Sequence, residues 1–249
     1  MIKHFIVMAS AYSLGKRIAL HYYKEENLQL DDIQKDIDYI LEICGKDTPI
    51  TTHFIQTEEP GWEKVIELDK FFEKADLIST KEEFAEIILK DRTLKGIDIA
   101  RYILTKTPCT HLKLEKLTYM CYADYLCAEK SRLFEDKIYA YRLGPVVESV
   151  YKKYKKRGFV LLVEDDKYTY DEASKKLPIR SRILSSKDGL KKLLSIDKTL
   201  EKYSKYSAEE LVKMTHKPET PWSRSDAGAI AYKIIKDELI FNYHSKEEI

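Results

Sequence analysis

Few places in the 249-residue chain combine side-chain types and spacings that could support a reaction. Ser13-Leu14-Gly15-Lys16 ends in the Gly-Lys pair of a phosphate-binding loop, but one glycine provides too few inward-pointing amides to cradle a phosphate. His4, His21, His53, His111, His216 and His244 contain no i, i+4 pair that would aim two imidazoles at one metal. Asp165 and Asp166 are adjacent, would face opposite sides of a strand, and read as turn residues. Cys109-Thr110-His111 sets a thiol near an imidazole, yet sequence neighbours seldom align for proton transfer, and a helix entry explains the segment better. Cys44, Cys109, Cys121 and Cys127 follow no CxxC spacing, so buried thiols are expected rather than a zinc knuckle or a disulfide framework. These readings predict no catalytic residue, no metal and no cofactor.

Binding is the remaining possibility. Lys152, Lys153, Lys155, Lys156 and Arg157 interleave with Tyr151 and Tyr154, a mixture that can meet phosphates and stack on bases. The simpler reading is the solvated side of an amphipathic helix. Over the whole chain 43 Lys and Arg offset 42 Asp and Glu, so no global basic field advertises nucleic acid or acidic lipid. The 18 tyrosines suit core packing and also protein recognition, because the ring offers a large contact area at low entropic cost. No apolar run approaches the roughly 18 residues of a membrane span, and the start lacks a signal-peptide succession, so a cytoplasmic protein is expected.

The elements that would position these residues fall into two regions. Residues 1–90 read as a small α+β unit: a strand over Lys3–Met8, and a helix over Ser10–Lys24 through Leu14, Ile18 and Tyr22. A second helix runs from Asp31 to Cys44 on Ile33, Ile37, Ile40 and Leu41, with Gly45 closing it in a left-handed conformation. A strand over Ile50–Gln56, a break at Pro60-Gly61 and an apolar run over Val65–Leu68 follow. Thr80 and Glu83 have capping-box spacing ahead of Phe84, Ile87 and Ile88, and this helix serves as the connector.

Residues 91–249 read as mainly α with a small β-hairpin element. Helical stripes run through Ile97–Leu104 and Leu112–Leu126, then a short strand over Lys137–Arg142. Gly144-Pro145 opens a helix that Gly158 ends, since proline at the first helical position loses no needed amide bond. Phe159–Val163 and Lys167–Tyr170 form a hairpin arm about Glu164-Asp165-Asp166. Helices follow over Lys187–Tyr203, with Leu190, Leu193, Leu194 and Leu200 apolar, then after the Ser207–Glu210 capping box, and over Asp237–His244.

Three blocks carry more than generic pattern: LKLEKLTY at 112–119; AYRLGPVV at 140–147 with Val150-Tyr151; and Leu211, Thr215-His216 and Pro221-Trp222. Their order and spacing resemble the SocA-like, or Panacea, antitoxin domain, whose phage-associated members include GepA-type proteins. The resemblance spans about Gly96 to Trp222. It implies a compact, largely helical domain without enzymatic activity, serving as the antitoxin of a type II toxin–antitoxin system by binding a protein toxin encoded nearby. Two alternatives are a proteolytic adaptor that delivers the toxin to the ClpXP protease, and a phage or operon regulator that binds nucleic acid through Lys152–Arg157. Gly144, Pro145, Val146, His216 and Trp222 match the family signature and are expected to be structural. Partner contacts are expected at Tyr119, Tyr141, Tyr151, Tyr154 and Lys155.

Overall fold

The computed structural model describes residues 1–11, 14–25, 29–164, 178–225 and 232–247. The chain divides into two compact units, one built on residues 1–93 with Ser186–Asp188, the other on 94–164, Pro178–Ser185 and 189–247. Among the described residues no helix is long and apolar enough to cross a membrane.

The first unit is α+β. Strands β1 (Ile2–Ala11) and β2 (Lys16–Lys24), helix α1 (Leu30–Cys44), strand β3 (Ile50–Thr57), helix α2 (Trp62–Leu68), strand β4 (Ala75–Leu77) and helix α3 (Lys81–Arg92) follow one another. The sheet order is β3-β1-β2-β4, with β1 antiparallel to both neighbours and β4 parallel to β2. Alternation divides β1 and β2 between two faces. Val7, Ala9, Ala11, Ile18 and Leu20 pack with Ile33, Ile37 and Ile40 of α1 and Phe84 and Ile88 of α3. Ile6, Met8 and Ala19 pack on the other face with Val65 and Phe72.

Three expectations change here. The segment ending at Lys24 is a strand, not a helix, because Ile18 and Tyr22 lie four apart and share a face in either conformation. Pairing with β1 over Lys16–Lys24 settles the ambiguity. Helix α3 is no mere connector: Phe84, Ala85 and Ile88 lie in the first unit's core, and buried Arg92 donates to the Cys44 carbonyl at the end of α1 (2.9 Å). Gly45 has φ 105° and ψ 143°, a positive-φ exit that is not the left-handed helical one. Thr80 does cap α3, accepting from the Glu83 amide at 3.2 Å.

Among the described residues the second unit is mainly helical with one small sheet. Its elements are α4 (Gly96–Lys106), α5 (His111–Glu129), β5 (Ile138–Tyr141), β6 (Gly144–Val147), α6 (Glu148–Tyr154), α7 (Ile179–Leu184), α8 (Gly189–Tyr203), α9 (Ala208–Thr215), β7 (Lys233–Ile234) and α10 (Asp237–Tyr243). Helix α5 is the spine, with Leu114–Ala123 buried on every face. The sheet order is β6-β5-β7, all antiparallel. Ser207 and Glu210 form the expected reciprocal capping box at the start of α9.

Among the described residues the small sheet holds a hairpin formed by β5 and β6. Among the described residues, Leu162 of the 159–163 segment forms an isolated bridge with Cys109. The proposed second arm, Lys167–Tyr170, and the Asp165-Asp166 pair lie outside the described residues, as does Ser13. Gly144-Pro145 opens a strand and the helix begins only at Glu148, because β5 supplies pairing that the residues alone do not reveal. On α8, Leu193 and Leu200 are buried, whereas Leu190 and Leu194 are 63% and 61% exposed. The inward face is set by Lys192, Leu193, Ile196, Thr199, Leu200 and Tyr203.

That assignment of faces is testable by urea denaturation. Leu193→Ala is expected to cost about 2–5 kcal/mol through the cavity it leaves. Leu190→Ser should stay within about 0.5 kcal/mol, as a surface change does.

Candidate functional site

The three sequence blocks meet at strand β6. It lies at the edge of its sheet, yet all of Gly144–Val147 are buried. A buried sheet edge leaves amides and carbonyls that must find partners other than water. Helix α5 provides them from adjacent side chains. The Val147 amide donates to Glu115 Oε2 at 2.8 Å, and Lys116 Nζ donates to the Pro145 carbonyl at 2.7 Å. His111 Nε2 lies 3.1 Å from the other Glu115 oxygen. Since the outward groups of β6 come from Pro145 and Val147, proline stands where its missing N–H removes nothing from the ladder with β5.

Glycine is required beside it. Gly144 has φ 101°, and a Cβ there would lie 2.7 Å from Thr215 Oγ1 and 3.0 Å from Lys116 Nζ. Burial raises the Glu115 carboxyl above its usual range against the hydrogen bonds from His111 and Val147. Burial likewise depresses Lys116 to about 8, opposed by Glu115 and Glu247.

The turn joining β5 and β6 is clamped from the third block. Trp222 Nε1 donates to the Tyr141 carbonyl at 2.8 Å. His216 sets its ring nitrogens against the carbonyls of Val212 (2.7 Å) and Arg142 (3.1 Å), and its ring centroid is 3.7 Å from that of Trp222. His216 therefore holds the hairpin turn, not the proline-containing link that follows it. Thr220 Oγ1 ties that link down by donating to the Thr215 carbonyl at 2.8 Å.

Above this clamp lies a group of tyrosines. The Tyr141 ring meets Tyr151 edge-on at 4.9 Å and Tyr232 edge-on at 4.6 Å, with Tyr139 at 6.4 Å. Lys155 Nζ lies 5.6 Å from the Tyr151 ring centre. Tyr139, Tyr141 and Tyr151 are half-buried, while Tyr232, Leu143 and Ile234 are exposed. Of the nominated contact residues, Tyr141, Tyr151 and Lys155 come together here. Tyr119 and Tyr154 do not: both are buried in the core. Tyr139 was readable as the same-face neighbour of Tyr141, two residues away on a strand. Tyr232 arrives from distant sequence through β7 and carries no local signal.

Tyr119 belongs to a second buried polar set. Its hydroxyl donates to Glu247 at 2.9 Å, and His244 bridges Glu247 (Nδ1, 2.6 Å) and Asp124 (Nε2, 2.7 Å). Burial alone would lower His244, but the hydrogen bonds to Asp124 and Glu247 overcome it and raise the imidazole to about 9. A cavity of about 700 Å³ opens beside this set, lined by Asp124, Cys127, Lys198, Thr199, Phe241 and His244 among others. Both carboxylate oxygens of Asp124 are engaged, one by His244 and one by the Thr199 hydroxyl.

Elsewhere the nominated polar residues stay apart. Lys16 pairs with Asp76 at the surface, and His53 sits against the Phe71 and Phe72 rings. His4 lies between His21 (2.8 Å) and Thr57 (2.7 Å), with burial lowering both imidazoles, His21 to about 4. Cys44, Cys109 and Cys121 are buried and Cys127 is partly so, and none of the four is in a disulfide. Among the described residues no group of three His, Cys, Asp or Glu side chains is placed to hold a metal ion.

Two outcomes follow. Glu115→Ala strands the Lys116 ammonium and the Val147 amide and is expected to cost about 3–5 kcal/mol in urea denaturation; Glu115→Gln, which keeps an acceptor, should cost less. For His244, a folded pKa of about 9 against 6.5 unfolded means stabilisation complete below about pH 6.5 and lost as pH rises through 9. Lys116, depressed to about 8, contributes with the opposite sign above that pH. The urea midpoint should therefore fall between pH 6.5 and 8, and His244→Gln should flatten that slope.

Comparison with curated proteins and with solved structures finds no match. Among protein families, residues 114–223 match the one described as Antitoxin SocA-like, Panacea domain, a stretch that holds Glu115, Lys116, the β5–β6 hairpin, His216 and Trp222. The C-terminal part of the chain is thus similar to the SocA-like Panacea antitoxin domain, which supports a general antitoxin-type role.

Proposed function

We propose that the chain is the antitoxin of a type II pair and neutralises a protein toxin directly, covering it with the surface around Tyr141, Tyr151 and Tyr232 rather than transforming a ligand. The carrying observation is that the family-matched stretch spends its buried charges and its Trp222–His216 clamp on fixing one hairpin, whose outer side carries clustered tyrosines. Rings held before binding lose little freedom on binding, and tyrosine is enriched among residues that dominate interface energies. Leu143 and Ile234 extend the apolar centre, and Lys155 supplies a charged rim. This reading places the complex in the cytoplasm and needs no cofactor and no nucleic acid.

The test is co-expression with the adjacent reading frame. Growth should recover and a complex burying at least roughly 1,000 Å² should co-purify. Tyr232→Ala and Tyr151→Ala should each weaken the complex about tenfold or more, with an unchanged melting temperature for Tyr232→Ala. Recovery without any complex, and only where ClpXP is present, refutes direct neutralisation in favour of the adaptor.

A further inference from the structure

The surface around Tyr141, Tyr151 and Tyr232 is flanked by charge of mainly one sign. Residues 137–157, which hold β5, β6 and α6, contain seven Lys and Arg and one carboxylate, Glu148, in a chain that balances at 43 against 42 overall. That carboxylate is occupied, accepting from Lys152 Nζ at 2.6 Å. Arg142, in the turn between β5 and β6, and Lys155, just after α6, are both exposed, and among the described residues neither is paired with a carboxylate. The acidic groups nearest the hairpin are turned to backbone amides: Glu115 accepts from Val147 (2.8 Å), and Asp136 from Gly96 (2.7 Å) and Ser149 (3.0 Å). The tyrosine rings, Leu143 and Ile234 thus form an apolar centre whose rim is cationic and uncompensated.

A partner that covers such a centre takes water from its rim. A cation that loses water without gaining an opposite charge is costly, whereas a facing carboxylate offsets that cost and steers the encounter. A basic or neutral protein face would leave Arg142 and Lys155 stranded. A nucleic acid would satisfy the cations but not the rings, because base stacking needs an open ring face. The Tyr141 ring meets Tyr151 and Tyr232 at 72° and 80°, so each contact closes one ring face against an edge, and Lys155 lies over the Tyr151 ring. Leu143 and Ile234 would then face phosphate and sugar without an apolar counterpart.

Given direct neutralisation by this surface, on which this step rests, we infer that the toxin face covering it is acidic and that Arg142 and Lys155 select that face by charge. Long-range attraction acts on the encounter, so these charges set the association rate more than the dissociation rate.

Association kinetics of the purified full chain with the product of the adjacent reading frame test this. Between about 50 and 500 mM NaCl the association rate constant should fall about tenfold or more. Arg142→Glu and Lys155→Glu should each slow association by about threefold to tenfold, and the double variant by more. Their melting temperatures should not change, because both side chains are exposed. Arg142→Gln removes one charge where Arg142→Glu reverses it, and should have about half the logarithmic effect, a scaling that lost shape would not produce. A complex whose association is indifferent to salt and to both reversals overturns the acidic face and leaves direct neutralisation standing, as does a complex that the reversals tighten. Growth rescued with no complex removes direct neutralisation, and the acidic face with it. Polyuridine binding that Lys155→Glu abolishes, beside toxin association that it leaves unchanged, assigns the cations to a nucleic acid and overturns the inference.

Discussion

The second unit depends on burying a sheet edge without leaving its polar groups unpaired. Strand β6 can enter the core only because Glu115 accepts from the Val147 amide and Lys116 donates to the Pro145 carbonyl. Two adjacent opposite charges on one helix are costly to desolvate, and each needs both the other's field and its backbone partner. The requirement runs in both directions. Without the strand the charges would have no reason to be buried, and without the charges the strand would need water or another strand. The close approach of Lys116 and Thr215 to Gly144 follows from the same geometry, which is why no side chain fits at that position.

The outer features follow from that inner one. Once β6 is fixed, β5 is held by the ladder, and Trp222 and His216 need only restrain the turn. Tyr139 and Tyr141 then project from one side of β5, and α6, which starts where β6 ends, brings Tyr151 against Tyr141. Helix α5 performs a comparable service for the C-terminal segment. Tyr119, one turn beyond Glu115, and Asp124 hold Glu247 and His244, so charged groups along one spine anchor both the hairpin and the last helix. Hydrophobic contact supplies most of the burial, but these directional bonds determine which segments occupy it.

Much of the fold was legible where periodicity and punctuation agreed. The α1 stripe, the β-branched run of β3, the Ser207–Glu210 box and the last helix all combine a local pattern with a local stop or start. Legibility failed where a pattern served two conformations. Ile18 and Tyr22 fit helix and strand equally, Gly144-Pro145 fits a helix start and an edge strand, and Leu190 and Leu194 sit on a helical stripe that faces outward. In the site, Tyr141, Tyr151 and Lys155 were recoverable from family blocks and an amphipathic pattern. Tyr119 and Tyr154 were misplaced, because a tyrosine's exposure depends on whether its hydroxyl and ring find partners inside. Glu115 and Lys116 stood in plain view between Leu114 and Leu117, and opposite charges inside an otherwise apolar helical run were the available signal.

By itself the sequence determined the class of each unit, most helix boundaries and the similarity of residues 114–223 to one family, because these rest on spacing within a few turns of chain and on ordered blocks of residues. Only the tertiary structure decided which charges are buried, which tyrosines share a surface and where Gly144-Pro145 leads. Those outcomes depend on hydrogen bonds between segments far apart in sequence, and a polar group's partner cannot be read from its neighbours along the chain.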